Sequence, residues 1–335
     1  MRELTLDKLP KKVLAKLDME RVFIVSRCVI AAERFQVFRA LHKRALSAVA
    51  VGRRTGIDRK YGESFLDYLV LIGLLRKKGK LYSNTVLADK HFVKERSIDW
   101  TRMWSGECAE DFTAMSVLDE VIASGKAWQR LLKTARKPDY QRIREDRQWA
   151  RDFTYALYDI YKPDAEALAT KLDLSRYKAV LDVGGGSGVI SIALARKNPH
   201  ITACILELEY VADAAREIIQ KNRLSRQISA LAGDMYKALP SGYDVIMFWN
   251  VGDSKPHVVK KAYAALPEGG LIVFSCSPAS RKNTPSLERF PFEYLGVRPK
   301  GQSRASIISS LKDAGFKGIK YRRINQRFGM ITGRK

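Results

Sequence analysis

The sequence predicts an α/β protein in which a doubly wound sheet follows a mostly helical winged-helix domain. Three observations support this fold class. Residues 180–195 indicate a buried strand, a glycine turn and the start of a helix. Strands and helices alternate from about residue 166 onward. Residues 30–88 indicate three helices followed by two short strands.

The chain has 335 residues, which is long for a single core, so more than one domain is expected. We expect a winged-helix or dimerisation domain at 1–95 and a helical linker that contributes to a pocket at 96–165. Residues 166–335 are expected to form the cofactor-binding domain. Aromatic residues in the middle segment indicate either ordinary helix core or a pocket for a flat substrate.

The pattern of a winged helix is carried by residues 30–88. Helices are expected at Ala31–His42, Ala45–Arg54 and Glu63–Leu71, and the two-stranded wing has its tip at Gly79. A wing rich in Lys and Arg suits DNA phosphates. The third helix is mostly apolar and acidic, however, which favours a dimerisation module over a DNA-reading one.

Composition restricts the function classes. No stretch is long and apolar enough to cross a bilayer, and the first residues lack a signal core, so we expect a cytoplasmic protein. The four cysteines are scattered and indicate no metal site. The net charge of +24 favours anionic partners, but Lys and Arg are spread along the chain as on a solvated surface.

The glycine turn forms a cradle for a nucleoside cofactor at a helix N-terminus. A dinucleotide fingerprint needs G-x-G-x-x-G, whereas the glycines here occupy 184, 185, 186 and 188 and are followed by Val189. Asp182 precedes the first glycine by two residues, which suits a ligand with a cationic amino group better than a pyrophosphate. The spacing therefore disfavours NAD.

This pattern resembles motif I of the class I S-adenosylmethionine-dependent methyltransferases, which have a Rossmann-like doubly wound sheet. The resemblance implies S-adenosyl-L-methionine as cofactor and S-adenosyl-L-homocysteine as product. It also implies that the backbone of Gly184, Gly186 and Gly188 approaches the methionine part of the cofactor. Asp182 would help to hold the ammonium group.

Acidic residues follow the next two strands. Glu207 ends the second strand about 20 residues beyond the turn, where a carboxylate accepts hydrogen bonds from a ribose diol, and Glu209 is a near alternative. Asp234 and Met235 follow the third strand. Asp234 can accept a hydrogen bond from the adenine amine, and Met235 can lie on the purine face.

Several segments together resemble the plant-caffeate-type and bacterial antibiotic-type O-methyltransferase family. They are the winged helix, the aromatic middle, Asp-Val-Gly-Gly-Gly-Ser-Gly, Gly-Asp-Met, Leu-Pro-Glu-Gly-Gly and Asp-Ala-Gly-Phe. The resemblance implies a homodimer through the N-terminal domain and a substrate pocket between the helical middle and the sheet. Rough position against the family makes Phe153 and Glu293 candidate substrate residues, and Trp249 and Asn250 candidate cofactor residues.

The segment after the fourth strand departs from the family, because it lacks the His-Asp-Trp whose His acts as general base. Asp253 or Trp249 aligns with that His, depending on the anchor, and His257 falls in the following helix, where a surface or packing role is the simpler interpretation. Asp253 could serve as base if burial raises its pKa. Asp253 and His257 are therefore the candidate catalytic residues.

The chemistry that needs no such base is methyl transfer by in-line displacement, with the nucleophile placed about 3 Å away. We expect transfer to an O or C centre of a planar or aromatic small molecule. A nucleic-acid methyltransferase is disfavoured, since Asn250-Val251-Gly252-Asp253 is not an Asp/Asn-Pro-Pro-aromatic turn. A non-methylating or regulatory member that uses the winged helix is the other alternative, which production of S-adenosylhomocysteine would exclude.

Overall fold

A computed structural model of the protein describes residues 22–94, 111–133, 139–251, 256–276 and 303–335. The chain divides into two compact units, Met1–Val117 and Leu118–Lys335. In the described residues, no helix is both long and apolar enough to cross a membrane. The domain boundaries at 95 and 165 stay a prediction.

The first unit contains short helices and a small antiparallel sheet. Its elements are α1 Val22–Arg34, α2 Val37–Ala40, β1 Leu46–Ser47, α3 Ala48–Thr55, α4 Arg59–Leu71, β2 Leu75–Lys78, β3 Leu81–Asn84, α5 Val86–Asp89 and a π-helical turn at Lys90–Lys94. The strand order is β1-β3-β2. Gly79 at the tip of the β2-β3 hairpin has a φ of +59°, which glycine adopts without strain. These elements agree with the predicted helical N-terminal domain.

Local capping shifts the helix starts from those expected. Helix α3 begins at Ala48, because Leu46–Ser47 pairs with β3 and the Ser47 hydroxyl accepts the Ala50 N–H. Helix α4 begins four residues before Glu63, because the Asp58 carboxylate accepts the Lys60 N–H. The expected Ala31–His42 helix is interrupted by Gln36, whose φ is 55°.

The second unit is built on one sheet with helices on both faces. Its elements are α6 Leu118–Ser124, α7 Trp128–Leu131, α8 Asp139–Glu145, α9 Arg147–Lys171, β4 Ala179–Val183, α10 Val189–Lys197, β5 Thr202–Glu207, α11 Glu209–Lys221, β6 Ile228–Ala232, β7 Val245–Phe248, α12 Pro256–Ala265, β8 Leu271–Cys276, α13 Arg304–Asp313, β9 Lys317–Arg323 and β10 Gly329–Arg334. The strand order is β6-β5-β4-β7-β8-β10-β9, and β10 is antiparallel to both of its neighbours. The predicted doubly wound fold is confirmed.

The alternation of side chains along β4 assigns the two faces of the sheet. Leu181 and Val183 belong to a buried cluster with residues of α12 and α13. Successive side chains of a strand point to opposite faces, so Asp182 points to the other face, where Ser191 of α10 donates a hydrogen bond to it. The central strand therefore carries a buried carboxyl group into this face of the sheet.

Helix α9 covers that second face. It runs for 25 residues and passes through Pro163, where one helical hydrogen bond is lost. The Arg151 guanidinium and the Tyr155 hydroxyl both donate to the Glu217 carboxylate on α11. These contacts join α9, which precedes the first strand of the sheet, to α11, which connects β5 and β6.

The Asp244 side chain holds the backbone where the central strand β4 begins. One of its carboxylate oxygens accepts the N–H groups of Lys178 at 2.7 Å and of Ala179 at 3.0 Å.

We expect Asp244→Ala to lower the free energy of unfolding by about 1–3 kcal/mol, because two N–H groups lose their acceptor. Urea unfolding followed by circular dichroism measures this. Asp244→Asn keeps a carbonyl oxygen as acceptor, so its free energy of unfolding should fall by less. Equal decreases in both variants would contradict a role of Asp244 as hydrogen-bond acceptor.

Candidate active site

The predicted cofactor residues lie at one edge of the sheet, because the carboxyl ends of parallel strands meet there. Asp182 is the penultimate residue of β4, directly before the glycine turn, and Glu207 is the last residue of β5. Asp234 follows β6, and Trp249 follows β7. Four neighbouring strands thus each deliver one predicted residue to the same edge.

The glycine turn brings backbone close to the Asp182 carboxyl. Gly184, Gly186 and Gly188 have φ values of +65°, +54° and +70°, in the left-handed region that favours glycine. A Cβ on Gly185 would lie 2.5 Å from the Asp182 carboxyl carbon. Gly185 therefore packs directly against this carboxyl group, where any side chain would collide with it.

Asp182 is a fully buried carboxyl group with one satisfied oxygen. Its Oδ2 accepts the Ser191 hydroxyl at 2.7 Å, whereas Oδ1 has no hydrogen-bond partner among the described residues. Burial raises the pKa of Asp182 to about 7, the Ser191 hydrogen bond opposes this, and the nearby Glu207 charge adds to it. A cation placed beside Oδ1 would relieve both the missing contact and the raised pKa.

Glu207 is held by the backbone on both sides. Its Oε1 accepts the Gly186 N–H at 3.1 Å, and its Oε2 accepts the Leu208 N–H at 2.7 Å. Burial raises the pKa of this carboxyl group, and the two N–H groups oppose the rise. The carboxylate is therefore fixed in place between the glycine turn and the start of α11, with lone pairs left for further donors.

Asp234 and Met235 line the next part of the edge. The Tyr236 N–H donates to Asp234 Oδ1 at 2.9 Å, and Arg144 approaches Oδ2 at 3.4 Å. The Tyr236 hydrogen bond and the Arg144 charge lower the pKa of Asp234 despite some desolvation. Met235 is half-buried against the core. Asp234 is consequently an ionised acceptor at this edge near neutral pH.

The end of β7 carries an aromatic ring, that of Trp249, and a side-chain amide, that of Asn250. Trp249 is 5% exposed, its Nε1 has no acceptor among the described residues, and its ring centroid is 5.5 Å from that of Phe328. Asn250 has a φ of 54°, its N–H donates to Ser275 Oγ at 2.6 Å, and its side-chain amide donates to the Tyr161 hydroxyl at 2.9 Å. Residues from α9, β7, β8 and the β9-β10 connection thus meet at this point.

The remaining predicted residues are more dispersed. Phe153 on α9 stacks on Trp149 with a centroid distance of 4.8 Å. His257 is exposed in the first turn of α12, with its ring centroid 6.0 Å from that of Tyr236. Asp253 and Glu293 lie outside the described residues, and within the described ranges no group of three His, Cys, Asp or Glu side chains could hold a metal ion.

Sequence reasoning missed the roles of Ser191, Tyr161 and Phe328. Ser191 could have been found, because it is a hydroxyl within the apolar run 189–195, at the start of a helix that faces a buried Asp. Tyr161 belongs to the aromatic middle segment, for which a pocket is one of the two interpretations, but nothing local predicts its contact with Asn250 or that of Phe328 with Trp249. Tyr161 is 89 positions from Asn250, so only the fold brings the two side chains together.

A doubly wound sheet with a glycine turn and carboxylates at successive strand ends defines a protein that binds a nucleoside cofactor. The sequence matches the family model of the O-methyltransferase domain over residues 116–317 and that of the O-methyltransferase dimerisation domain over residues 17–94. The chain therefore belongs to the O-methyltransferase family and is an S-adenosylmethionine-dependent methyltransferase.

Individual relatives support the assignment to this family. L-tyrosine C(3)-methyltransferase of Streptomyces lavendulae is 28% identical over 313 residues, covering 88% of this chain and 84% of that protein. 3-Hydroxy-5-methyl-1-naphthoate 3-O-methyltransferase of Streptomyces sahachiroi is 25% identical over 265 residues, covering 75% and 73%. The fold is similar to human N-acetylserotonin methyltransferase in complex with SAM, with a TM-score of 0.77, 22% identity and 97% of each chain covered.

Asp182 makes the free protein less stable as pH rises. Its pKa is raised to about 7 from the ordinary 3.8, so the folded protein favours the protonated form. Between pH 4 and 7 the unfolded chain releases this proton more readily than the folded protein, and the free energy of unfolding therefore falls as pH rises. We expect Asp182→Asn to raise the free energy of unfolding at pH 8 by up to about 4 kcal/mol.

Thermal unfolding of the ligand-free protein at pH 8 and pH 5 measures this effect. The melting temperature of Asp182→Asn should exceed that of the unmodified protein by several degrees at pH 8, and the gap should narrow at pH 5. Ser191→Ala, which removes the donor to this carboxylate, should lower the melting temperature at pH 8. A gap that stays constant with pH would contradict the raised pKa.

Proposed function

We propose that this enzyme transfers a methyl group to an O or C centre of a planar or aromatic small molecule by in-line displacement, without the His base of the family. The cofactor-binding set is Asp182, Gly184, Gly186, Gly188, Glu207, Asp234, Met235, Trp249 and Asn250. When bound, the cofactor supplies a sulfonium methyl group that is already electrophilic.

The unsatisfied buried Asp182 oxygen is the observation that carries the proposal. An unpaired carboxylate in this environment is unfavourable unless a cation accompanies it. The ammonium group of S-adenosylmethionine is such a cation, and the glycine turn brings backbone, with no side chain, against this carboxyl group. Glu207 would accept the ribose hydroxyls, and Asp234 would accept the adenine amine. The residues present therefore fit this cofactor.

The end of β7 offers neutral polar groups where a general base would otherwise stand. The Tyr161 hydroxyl accepts a hydrogen bond from the Asn250 amide, and its own proton remains to orient an acceptor atom. Such a site positions an acceptor without deprotonating it. It suits a phenolate, a carboxylate or an electron-rich carbon. Asp253 and His257 stay proposals for the base.

A ridge of helix α9 supports a planar acceptor. Trp149, Phe153, Leu157 and Tyr161 recur every four residues, so they follow one another along the helix surface over about 18 Å. Trp149 stacks on Phe153 within this ridge, and Tyr161 is tilted against Phe328 of the β9-β10 connection. Such aromatic rings suit the face of an aromatic molecule. Two relatives are named for L-tyrosine and a hydroxy-naphthoate, which are aromatic as well.

The assembly and location are proposed from the sequence. The match to a dimerisation domain over residues 17–94 supports a homodimer through the N-terminal unit. The cytoplasmic location and an anionic acceptor remain predictions. Phe153 and Glu293 likewise remain predicted substrate residues.

Cofactor affinity should fall at acid pH. Protonation of Asp182 below its pKa of about 7 removes the charge that faces the ammonium group, so the Kd should rise roughly tenfold for each pH unit well below 7. Titration calorimetry with S-adenosylhomocysteine between pH 5.5 and 7.5 measures this. Asp182→Asn should bind more weakly and lose most of the pH dependence, leaving the part due to Glu207.

Two results would count against the cofactor site. Affinity that is constant from pH 5.5 to 7.5 would contradict the role of Asp182. Unchanged binding in both Asp182→Ala and Glu207→Ala would overturn the whole assignment. Release of S-adenosylhomocysteine with a panel of hydroxylated aromatic acids tests the transfer itself, and cofactor binding without any turnover would favour a regulatory role.

Tyr161 should affect the acceptor and not the cofactor. Tyr161→Phe removes the hydroxyl that contacts Asn250, so we expect kcat/KM for the acceptor to fall roughly fivefold, which corresponds to about 1 kcal/mol, with the cofactor Kd unchanged. Tyr158→Phe is the matched control, since Tyr158 lies on the same helix as Tyr161 and its hydroxyl donates to Asn222 at the end of α11 instead. Equal effects from both variants would indicate a loss of helix stability instead.

A further inference from the structure

A second concave site lies away from the candidate active site. It has a volume of about 730 Å³, within the range of small-molecule pockets. Ile331 of β10 packs in the core cluster with α12 and α13, so Met330 and Thr332, which line the cavity, face the other side of the sheet. The opposite wall is the segment 171–177 that leads into β4. None of the predicted cofactor or substrate residues within the described ranges lines it.

The lining is strongly basic. Its cationic members are Lys171, Arg176, Lys320, Arg322 and Arg334, against the single acidic residue Asp173. The hydrogen bond from the Ser175 N–H lowers the pKa of Asp173, so this group stays ionised and offsets only one of the five positive charges. A cavity with several convergent cations and one anion attracts a multiply charged anion.

Two of these cations are fixed by backbone contacts. Lys171 Nζ donates to the Ile324 carbonyl at 2.5 Å, and Arg322 donates to the Lys171 carbonyl at 2.8 Å. Arg176 and Lys320 are exposed, and within the described part of the chain neither forms a salt bridge. Elsewhere in this unit Arg151 and Arg327 pair with carboxylates. The cavity thus holds positive charge that the described protein does not neutralise.

The cavity also has an apolar floor. Leu172, Leu271 and Met330 are 5–7% exposed and line it, and the half-buried Tyr177 adds an aromatic ring. A bare inorganic anion would leave this surface unused. A ligand that combines a flat ring system with phosphate groups would contact both the apolar floor and the cationic rim.

We propose that this cavity binds a phosphorylated small molecule of nucleotide size, at a site distinct from the one that holds the methyl donor. The guanidinium groups bind phosphate oxygens through paired N–H donors, and Tyr177 contacts the ring system. The site is built by the β9-β10 hairpin and the segment before β4, so it does not depend on the glycine turn.

The test is titration calorimetry of the full chain with ADP as the probe, with and without saturating S-adenosylhomocysteine. We expect one ADP site that persists with S-adenosylhomocysteine present, and whose affinity falls at least tenfold in the double variant Arg176→Glu/Lys320→Glu. The control is Lys260→Glu/Lys312→Glu, two exposed residues of α12 and α13 with the same change of charge. This variant should bind ADP within twofold of the unmodified protein.

Four results would overturn the proposal. The first is no binding of ADP, and the second is ADP binding that S-adenosylhomocysteine competes away, which would assign it to the cofactor edge. The third is an equal loss in both double variants, which would indicate bulk charge alone. Tighter binding of single-stranded RNA that depends on Arg176 and Lys320 would also overturn it, in favour of a nucleic-acid surface. Circular dichroism confirms that both variants fold.

Discussion

The Asp182 carboxyl group is the constraint on which the candidate site depends. It is buried in the central strand of the sheet, with a single hydrogen bond from Ser191 and a second carboxyl group, Glu207, nearby. An ionised group in that position opposes folding, and the same property makes it a strong site for a cation. The glycine turn follows from it, since a side chain on Gly185 would collide with the carboxyl. If Asp182 binds the cofactor as proposed, its charge lowers the stability of the free protein and raises the affinity for the cofactor.

The sequence predicts the parts of the site that rest on local pattern. Buried strands, the glycine turn and an acidic residue at each strand end are short-range signals, and the parallel sheet places them at one edge without further information. It does not predict which side chains complete that edge from a distance. Tyr161 reaches Asn250 from α9, and Phe328 reaches Trp249 from the β9-β10 connection, and neither has a distinctive neighbour in sequence. The predicted helix starts are wrong for a similar reason. Ser47 caps a helix only because the preceding Leu46 pairs with Tyr82, which is distant in sequence.

Under the proposed function, a site without the family His at the end of β7 changes what the enzyme must obtain from its acceptor. Asn250 and Tyr161 can hold an acceptor atom but cannot take its proton at neutral pH. The left-handed backbone of Asn250, tied to Ser275 through its N–H, fixes the direction of its amide. A site with fixed neutral donors and a helix ridge of aromatic rings selects for shape and orientation. Unless Asp253 or His257 supplies a base, the acceptor itself must then be nucleophilic, either because it has already lost its proton or because its ring is electron-rich.

Basic residues that pair with carboxylates differ from unpaired basic residues in how strongly they attract an anionic ligand. On the wing, Lys77 contacts Glu63 and Asp67 of α4, so the helix that would read DNA in a winged helix instead supplies carboxylates to its own wing. Those carboxylates weaken the field that would attract a DNA backbone. At the β9-β10 cavity the balance is reversed, because five cations face one carboxylate over an apolar floor. The same net charge of +24 thus has different consequences in the two units, and local pairing, not the total, decides where an anion can bind.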